Sequence, residues 1–446
     1  MKGEPASSQG SVGTATEPSG IWAIIRDNPQ WRKLFLARTT SLLGDWLNAL
    51  AIVYLLGEGS SSAIAIAIVF VLKQVPIFLL GPAAGVFADR YDRKKIMVGC
   101  NLLAAALVLG FLLYEFTESS LLLYVLVALQ LSVTTFFEPA RQSVFPSVVP
   151  KRDLVVANVI SSASWSIMFT FGSFAGGVLL ALLGWQAAIV IDAITYLISA
   201  SILWTVKLPP REATVAEESP EAGSEPRGLK RLLGIDDMIS GLRYILSTRE
   251  VFSVILVKFG WGTMGVVTLL LTLLGRSEPY QLGGRPELGI SFLWGCRGLG
   301  TLFGPFLAQG WAGSAPERLK QTLTISYFAA PLCYFAIYFF YGHWLITGLL
   351  VFAAHLAGST IWVISTVLLQ QVVPETYRGR CFAAELGLVM FSSALSQILY
   401  AILMDSEILS LRGCFIAAPM LCLLPALLWL RNRRKEQQEL RASAGF

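Results

Sequence analysis

Apolar stretches of membrane-spanning length alternate with short polar segments along most of the chain. A helix that crosses the hydrocarbon core of a bilayer needs about 20 mostly apolar residues. The sequence predicts twelve such helices and therefore an all-α membrane protein. They lie near 34–56, 63–84, 96–115, 121–145, 156–183, 186–206, 251–274, 288–310, 321–341, 344–372, 382–404 and 413–431.

A polar interval divides the twelve predicted helices into two bundles of six. Its first part, 209–226, is acidic and contains proline, which predicts a mobile linker. Its second part has Leu and Ile at three- and four-residue spacing, which predicts an amphipathic helix on the membrane surface or against the bundle. A simple connector and a regulatory role both remain open. The predicted organisation is a cytoplasmic tail (1–30), a six-helix bundle (31–206), the linker (207–250), a second six-helix bundle (251–431) and a cytoplasmic tail (432–446).

The two predicted bundles repeat short sequence features. Gly81-Pro82 recurs as Gly304-Pro305, and a Val-Val-Pro triplet recurs at nearly the same spacing. When the two halves are aligned on the Val-Val-Pro triplet, Lys73 in the second predicted helix corresponds to Arg297 in the eighth. Repeated halves suit a carrier in which two bundles rock about a central site.

Positive charges in the loops predict the orientation of the chain. Lys and Arg are retained on the cytoplasmic side of a membrane. The loops after the odd-numbered predicted helices hold only Arg276, Arg285 and Arg412, whereas the loops after helices two, four, eight and ten hold ten basic residues. We therefore expect both termini to be cytoplasmic. Since the polar segment 1–20 does not resemble a secretory signal, we expect a bacterial inner membrane. The loops after predicted helices two, four, eight and ten hold Arg90, Arg93, Lys94, Lys95, Lys151, Arg152, Arg318, Lys320, Arg378 and Arg380.

Composition excludes several other classes of protein. Hydrophobic residues make up 55% of the chain and charged residues only 14%, whereas soluble domains carry about 25% charged residues. The basic residues lie between apolar stretches instead of forming the patch of a nucleic-acid-binding domain. The six cysteines form no CxxC or Cys/His spacing, so neither a zinc site nor a disulfide framework is expected. No cofactor is expected.

The loop after the second predicted helix carries the most specific motif. Gly85 is followed by Asp89-Arg90 and then by a basic cluster that begins at Arg93. This loop resembles the signature loop of the major facilitator superfamily, although Asp92 stands where that pattern usually has glycine. The resemblance implies the major facilitator fold.

Further short motifs occur in both halves. They are the segment 137–141, Val149-Pro150, Ala157-Asn158, Asp192-Ala193, the segment 371–374 and Arg378-Gly379-Arg380. These motifs resemble the branch of the superfamily that contains enterobactin exporters, macrolide efflux pumps and lysophospholipid transporters. The resemblance implies an export-type secondary carrier and leaves the substrate open.

The motif loop predicts a cytoplasmic gate. Asp89 can pair with a basic neighbour or with the positive N-terminus of the eleventh predicted helix. The second contact would join the two halves. The alternative is that the basic cluster only fixes topology. The predicted gate residues are Gly85, Asp89, Arg90, Arg93, Glu138 and Arg141.

Charged side chains within the apolar stretches are the candidates for transport chemistry, because they are costly in hydrocarbon. Asp45 is the predicted proton-coupling carboxylate; the alternative is a structural partner for Arg38 or Lys73. Lys73 and Arg297 are expected to meet an anionic substrate group or a carboxylate. For Lys258 we expect an interfacial position. The predicted coupling and cavity residues are Asp45, Arg38, Lys73, Asp192, Arg297 and Glu385.

Together these features predict a monomeric, proton-coupled exporter of a hydrophobic or amphipathic small molecule, such as a drug-like compound or a siderophore. Tryptophans within the predicted helices (Trp46, Trp165, Trp261, Trp294 and Trp362) suit a bulky substrate, although packing and interface anchoring are commoner roles. A lysophospholipid carrier is the alternative. A membrane enzyme or receptor is disfavoured, because the sequence has no recognisable nucleophile-and-base motif, phosphate-binding loop or sizeable soluble domain.

Overall fold

The computed structural model describes residues 21–59, 62–208, 235–312 and 315–443. This part of the chain consists of α-helices, short 3-10 turns and connecting loops. Most of the predicted N-terminal tail and the acidic part of the linker lie outside the described residues. The helices are α1 (Ile21–Asp27), α2 (Pro29–Gly59), α3 (Ala63–Leu72), α4 (Val75–Arg90), α5 (Arg93–Gly110), α6 (Tyr114–Thr117), α7 (Ser120–Thr135), α8 (Phe137–Val148), α9 (Leu154–Trp204), α10 (Ile235–Ser247), α11 (Arg249–Gly262), α12 (Val267–Arg276), α13 (Pro286–Ala312), α14 (Pro316–Phe339), α15 (Trp344–Val372), α16 (Glu375–Asp405) and α17 (Leu411–Ser443).

Ten helical segments of the described chain are long and apolar enough to cross a membrane. The longest, Val156–Trp204, has 49 residues, about twice what one crossing requires. Its helical backbone is interrupted at Gly184, where φ is +79° and ψ is 173°. The 27-residue helix α13 is not among the ten. The chain is therefore a multi-pass membrane protein, and the count of twelve crossings stays a prediction.

Lys73 lies at a break in a membrane-spanning segment. Its backbone N–H donates to the carbonyl of Val69 and caps α3, and α4 begins two residues later. Pro76, in the first turn of α4, explains the break, because proline has no N–H and its ring clashes with the carbonyl four residues earlier. A lysine is well placed after a helix C-terminus, where the helix dipole is negative.

Small residues allow α2 and α9 to approach closely. A side chain at Gly44 would collide with Thr195 and Asp192, and one at Gly172 would collide with Trp46. Such small residues let helix backbones pack against each other in membranes. The close packing brings the polar faces of α2 and α9 together.

The second part of the predicted linker forms α10 and packs against α16. The rings of Tyr244 and Tyr377 stack, with 4.4 Å between their centroids. Gly241 lies against the backbone of Arg380, where a Cβ would have no room. Of the two positions predicted for this amphipathic helix, the structure has it against the helical bundle.

Candidate functional site

A chain of polar contacts links α7, α9 and α2. Nε2 of Gln130 donates to the hydroxyl of Tyr196 at 3.3 Å. That hydroxyl donates to Oδ1 of Asp45 at 2.5 Å. Nη1 of Arg38 lies 3.9 Å from Oδ2 of Asp45. The Asp45 side chain is 31% exposed, so this carboxylate is both hydrogen-bonded and accessible.

Arg38 extends this chain of contacts to α8. Its Nε lies 3.6 Å from Oε2 of Glu138, so one guanidinium is shared between Asp45 and Glu138. Glu138 also binds Arg141 through two hydrogen bonds of 2.5 and 3.1 Å and accepts one from Gln142. Two arginines therefore compensate two carboxylates. The structure brings together predicted coupling residues (Asp45 and Arg38) and predicted gate residues (Glu138 and Arg141).

Asp192 lies in the same helix pair as Asp45 and is fully buried. Nδ2 of Asn48 donates to its Oδ2 at 2.8 Å, and the Thr195 hydroxyl lies 3.4 Å from its Oδ1. Asp45 and Asn48 share a face of α2, and Asp192 and Tyr196 share a face of α9, because residues three or four apart are neighbours on a helix. The sequence analysis named both carboxylates but not the Asn48 and Tyr196 partners.

Five aromatic rings, here called the aromatic cluster, lie between the two halves of the chain. The Trp46 ring is 4.4 Å from Phe169, 5.9 Å from Trp165 and 6.4 Å from Trp294, between centroids. Phe70 completes the cluster at 6.0 Å from Trp294. The rings come from α2, α3 and α9 in the first half and from α13 in the second. Three of the five predicted cavity tryptophans thus meet in one place.

Lys73 and Arg297 lie on the aromatic cluster. Nζ of Lys73 is 5.8 Å from the Trp46 ring centroid, and Cζ of Arg297 is 5.4 Å from that of Phe169. Nη1 of Arg297 also donates to Thr268 at 2.6 Å. Among the described residues, neither cation forms a salt bridge within 4.0 Å. Both residues are partly buried.

Glu385 lies elsewhere, in an ion pair of the second half. Its Oε1 is 2.6 Å from Nζ of Lys258, and both side chains are almost completely buried. Lys258 also donates to Thr366 at 2.7 Å and lies over the Trp362 ring. The interfacial position expected for Lys258 is therefore wrong. A lysine within an apolar helix needs a counter-charge. This rule could have predicted from the sequence that Lys258 pairs with an acidic residue.

The two halves touch at the end of the molecule that carries Gly57, Ser62, Arg276, Arg285 and Asp405, here called the Asp405 end. Asp405 binds the Ser62 hydroxyl at 2.5 Å and the first N–H groups of α3. Arg276 donates to the carbonyl of Gly57, and Arg285 donates to a carbonyl of α9. All three contacts cross from the second half to the first. The sequence analysis missed the role of Asp405.

The motif loop lies at the opposite end, here called the Asp89 end. Asp89 and Arg90 are exposed, and Asp89 forms no ion pair within the described parts of the chain. Arg93 donates to the carbonyls of Ala88 and Ser143, which ties α4 to α8 within the first half. Gly85 lies one turn before Asp89 in α4.

Asp92 explains the departure from the usual motif. Its side chain accepts a hydrogen bond from the backbone N–H of Lys95 at 3.0 Å and caps the N-terminus of α5. Aspartate is a favoured residue at this position. The loop therefore gains a helix cap where the common pattern has glycine.

The carboxylates of the candidate site can accept or release a proton, its cations can form ion pairs, and its aromatic rings provide an apolar surface. Across the described residues, no group of three or more His, Cys, Asp or Glu side chains could hold a metal ion. Asp45 and Asp192 come from facing helices, and two cations lie on an aromatic surface nearby. Such an arrangement can bind an ionisable small molecule and exchange a proton with it or with water.

Comparison with known proteins shows the family to which the chain is similar. The family model described as Major Facilitator Superfamily matches residues 34–384. An uncharacterized MFS-type transporter of Bacillus subtilis, YkuC, is 27% identical over 241 residues, and that alignment spans only about half of either protein, 54% of each. Macrolide efflux protein A of Streptococcus pyogenes is 28% identical over 40% of this chain and 44% of its own.

The fold matches solved structures over nearly the whole chain. A bacterial homolog of the human lysosomal transporter Spinster, solved in an inward-facing and unoccupied conformation, superposes with a TM-score of 0.68. The superposition covers 91% of this chain and 96% of that one, at 14% sequence identity. At this identity the similarity concerns the fold.

Proposed function

The chain belongs to the Major Facilitator Superfamily, and on that basis we propose that it is a secondary active transporter that exports a hydrophobic or amphipathic small molecule in exchange for protons. The family consists of membrane transporters, and the chain is not an enzyme. The relative named for macrolide efflux supports export of a drug-like compound.

The proposed architecture has twelve membrane crossings in two bundles. Val156–Trp204 supplies two crossings, since Gly184 interrupts it, and α13 supplies one more beyond the ten apolar segments. The bundles are 31–206 and 251–431, and the protein works as a monomer in the inner membrane. With both termini cytoplasmic, the Asp89 end faces the cytoplasm and the Asp405 end faces outward.

The observation that carries the coupling proposal is the shared position of Arg38. Its guanidinium lies 3.9 Å from Asp45 and 3.6 Å from Glu138. A charged side chain within a membrane needs a partner of opposite charge. When Asp45 takes up a proton it loses its negative charge and its ionic interaction with Arg38. Arg38 then binds Glu138 alone. Proton uptake on α2 thereby changes the contact with α8, and Tyr196 holds the other Asp45 oxygen during this exchange.

The gate proposal follows from the contacts at the two ends. Three polar contacts join the halves at the Asp405 end, whereas Asp89 is exposed and has no partner among the described residues. This difference supports an inward-facing state. Turning outward would break the Asp405 contacts and bring Asp89 to the N-terminus of α16, where the helix dipole favours a carboxylate.

Reconstitution into liposomes tests the proposed function. A pH gradient across the liposome membrane should drive transport of at least one compound from a panel of macrolides, siderophores and lysophospholipids. Asp45→Asn should abolish gradient-driven transport and retain substrate exchange without a gradient. Glu118→Gln, which removes an exposed carboxylate, is the matched control and should behave as wild type. Full gradient-driven transport by Asp45→Asn would refute the coupling role, and absence of transport by the folded wild type would refute the carrier.

A further inference from the structure

Lys73 and Arg297 both lie against rings of the aromatic cluster. We propose that they form a site that binds the anionic group of an organic anion between the two cations, with the apolar body of the ligand on the aromatic cluster. This inference rests on the proposed function, because it assigns a chemical class to the exported substrate.

The first argument is the contrast with three other cations of the membrane-spanning segments. Lys258 has Glu385, Arg141 has Glu138, and Arg38 has both Asp45 and Glu138. Cations at such depth are rare and are usually paired. Within the described residues, Lys73 and Arg297 have aromatic faces and no carboxylate within salt-bridge distance. An anion from outside the chain would supply the acidic group that neither cation has within salt-bridge distance.

The second argument is an excess of hydrogen-bond donors. Nε of Arg297 and the indole nitrogens of Trp46 and Trp294 are buried and have no hydrogen-bond partner. Arginine and tryptophan side chains carry donors and no acceptors. Most buried polar atoms in native structures are paired, so three unpaired donors on residues of, or against, the aromatic cluster need an explanation. A carboxylate, sulfonate or phosphate, which offers only acceptors, would satisfy them.

The nearby carboxylates of the protein do not replace this ligand. The negative charges of Asp45 and Asp192 attract Lys73, but among the described residues neither carboxylate lies within 4.0 Å of its ammonium group. Asp45 already accepts from Tyr196 and pairs with Arg38, and Asp192 already accepts from Asn48. Both of these carboxylates therefore have other donors.

The third argument is the position of the two cations in the fold. Lys73 lies at the break between α3 and α4, and Arg297 lies on α13 at the position that the sequence repeat matches to Lys73. Interrupted helices at the interface of two repeats are typical of substrate sites in transporters. The Trp165 ring of the cluster is 43% exposed, which leaves an aromatic surface for the body of the ligand.

A matched pair of probes tests the charge requirement. 2-Naphthoate and 2-naphthamide have the same aromatic body and nearly the same size, and only the first is an anion at neutral pH. Isothermal titration with the purified full-length protein should give at least tenfold tighter binding of 2-naphthoate. Equal affinities for the two probes would overturn the proposal.

Substitutions assign the effect to the two cations. Lys73→Gln and Arg297→Gln should each reduce the preference for 2-naphthoate at least fivefold, whereas Lys73→Arg and Arg297→Lys should retain most of it. Retention by the conservative variants separates loss of charge from loss of folding. Lys95→Gln and Arg412→Gln remove basic residues that lie outside the site and should keep the wild-type preference. Wild-type preference in both Gln variants would overturn the assignment.

Transport assays distinguish this inference from the proposed function. If Lys73→Gln and Arg297→Gln still transport an uncharged compound when a gradient is applied, the organic-anion class would be refuted and the proposed exporter would stand. Conversely, the protein could bind 2-naphthoate through both cations and transport none of the panel. That result would support the site and refute the proposed export of those compounds.

Discussion

The carboxylate of Asp405 accepts a hydrogen bond of 2.7 Å from the backbone N–H of Ala63, although 342 residues separate them in the sequence. Ala63 is the first residue of α3, and Asp405 is the last residue of α16. The first N–H groups of a helix have no partner within that helix. The second half of the chain therefore supplies part of the N-terminal cap for a helix of the first half.

Removal of this shared cap should open the Asp405 end. Loss of a capping side chain costs about 1 kcal/mol, which corresponds to a shift of roughly fivefold in the equilibrium between closed and open states. We expect Asp405→Ala to raise the maleimide labelling rate of a cysteine placed at Tyr54 by about that factor. Tyr54 lines a cavity of about 320 Å³ at this end, together with Arg276 and Arg285.

The labelling experiment requires the six native cysteines to be replaced first. Glu407→Ala is the matched control, because Glu407 is an exposed carboxylate two residues beyond Asp405 and should not affect the rate. An unchanged rate in Asp405→Ala would show that the cap does not hold this end closed.

Glu138 should be needed for coupling. Glu138→Gln removes the second carboxylate that shares Arg38, so Arg38 then remains with Asp45 whatever the state of the gate. We expect gradient-driven transport to fall roughly tenfold, with substrate binding within twofold of wild type. Gln142→Ala also removes a partner of Glu138 but no charge, and it should transport normally. Equal losses in the two variants would argue for a packing role instead.

The buried pair of Lys258 and Glu385 should matter for stability. Removal of one partner of a buried ion pair costs about 3–5 kcal/mol, whereas replacement of both by apolar residues is often neutral. Lys258→Met and Glu385→Leu should each lower the thermal unfolding midpoint in detergent, and the double variant should recover most of the loss. Additive losses in the double variant would contradict this account.

Local features of the sequence predict local features of the structure well. Asp45 and Arg38 are two turns apart on one helix, so the sequence analysis already named Arg38 as a possible partner of Asp45. The amphipathic spacing in the linker predicts α10. Pro76 was an available signal for the break at Lys73, but the sequence analysis predicts one helix near 63–84, and the structure corrects that prediction. Each of these inferences needs only the helix period or one backbone rule.

Contacts between distant helices were not predictable in the same way. The pairing of Lys258 with Glu385 and the cap from Asp405 to α3 depend on how each helix is rotated and how deep it lies. The sequence gives the positions of the charged residues along the chain, but it gives neither the rotation nor the depth of each helix. The sequence analysis named the three tryptophans of the aromatic cluster among five that suit a bulky substrate. Their contact with one another and with Phe70 and Phe169 depends on the packing of α2, α3, α9 and α13.

Tyr196 should separate proton exchange from substrate binding. Its side chain is almost fully buried, and its hydroxyl binds both Asp45 and Gln130. Tyr196→Phe keeps the ring and removes the hydroxyl, which leaves Oδ1 of Asp45 without its Tyr196 donor and costs about 1–3 kcal/mol. We expect gradient-driven transport to fall roughly tenfold while exchange without a gradient stays within twofold of wild type. Tyr400→Phe, at an equally buried tyrosine of α16, controls for loss of a hydroxyl. If exchange fell as far as gradient-driven transport, Tyr196 would have to act on substrate binding or folding, because a group that serves only proton uptake is not needed when no gradient is applied.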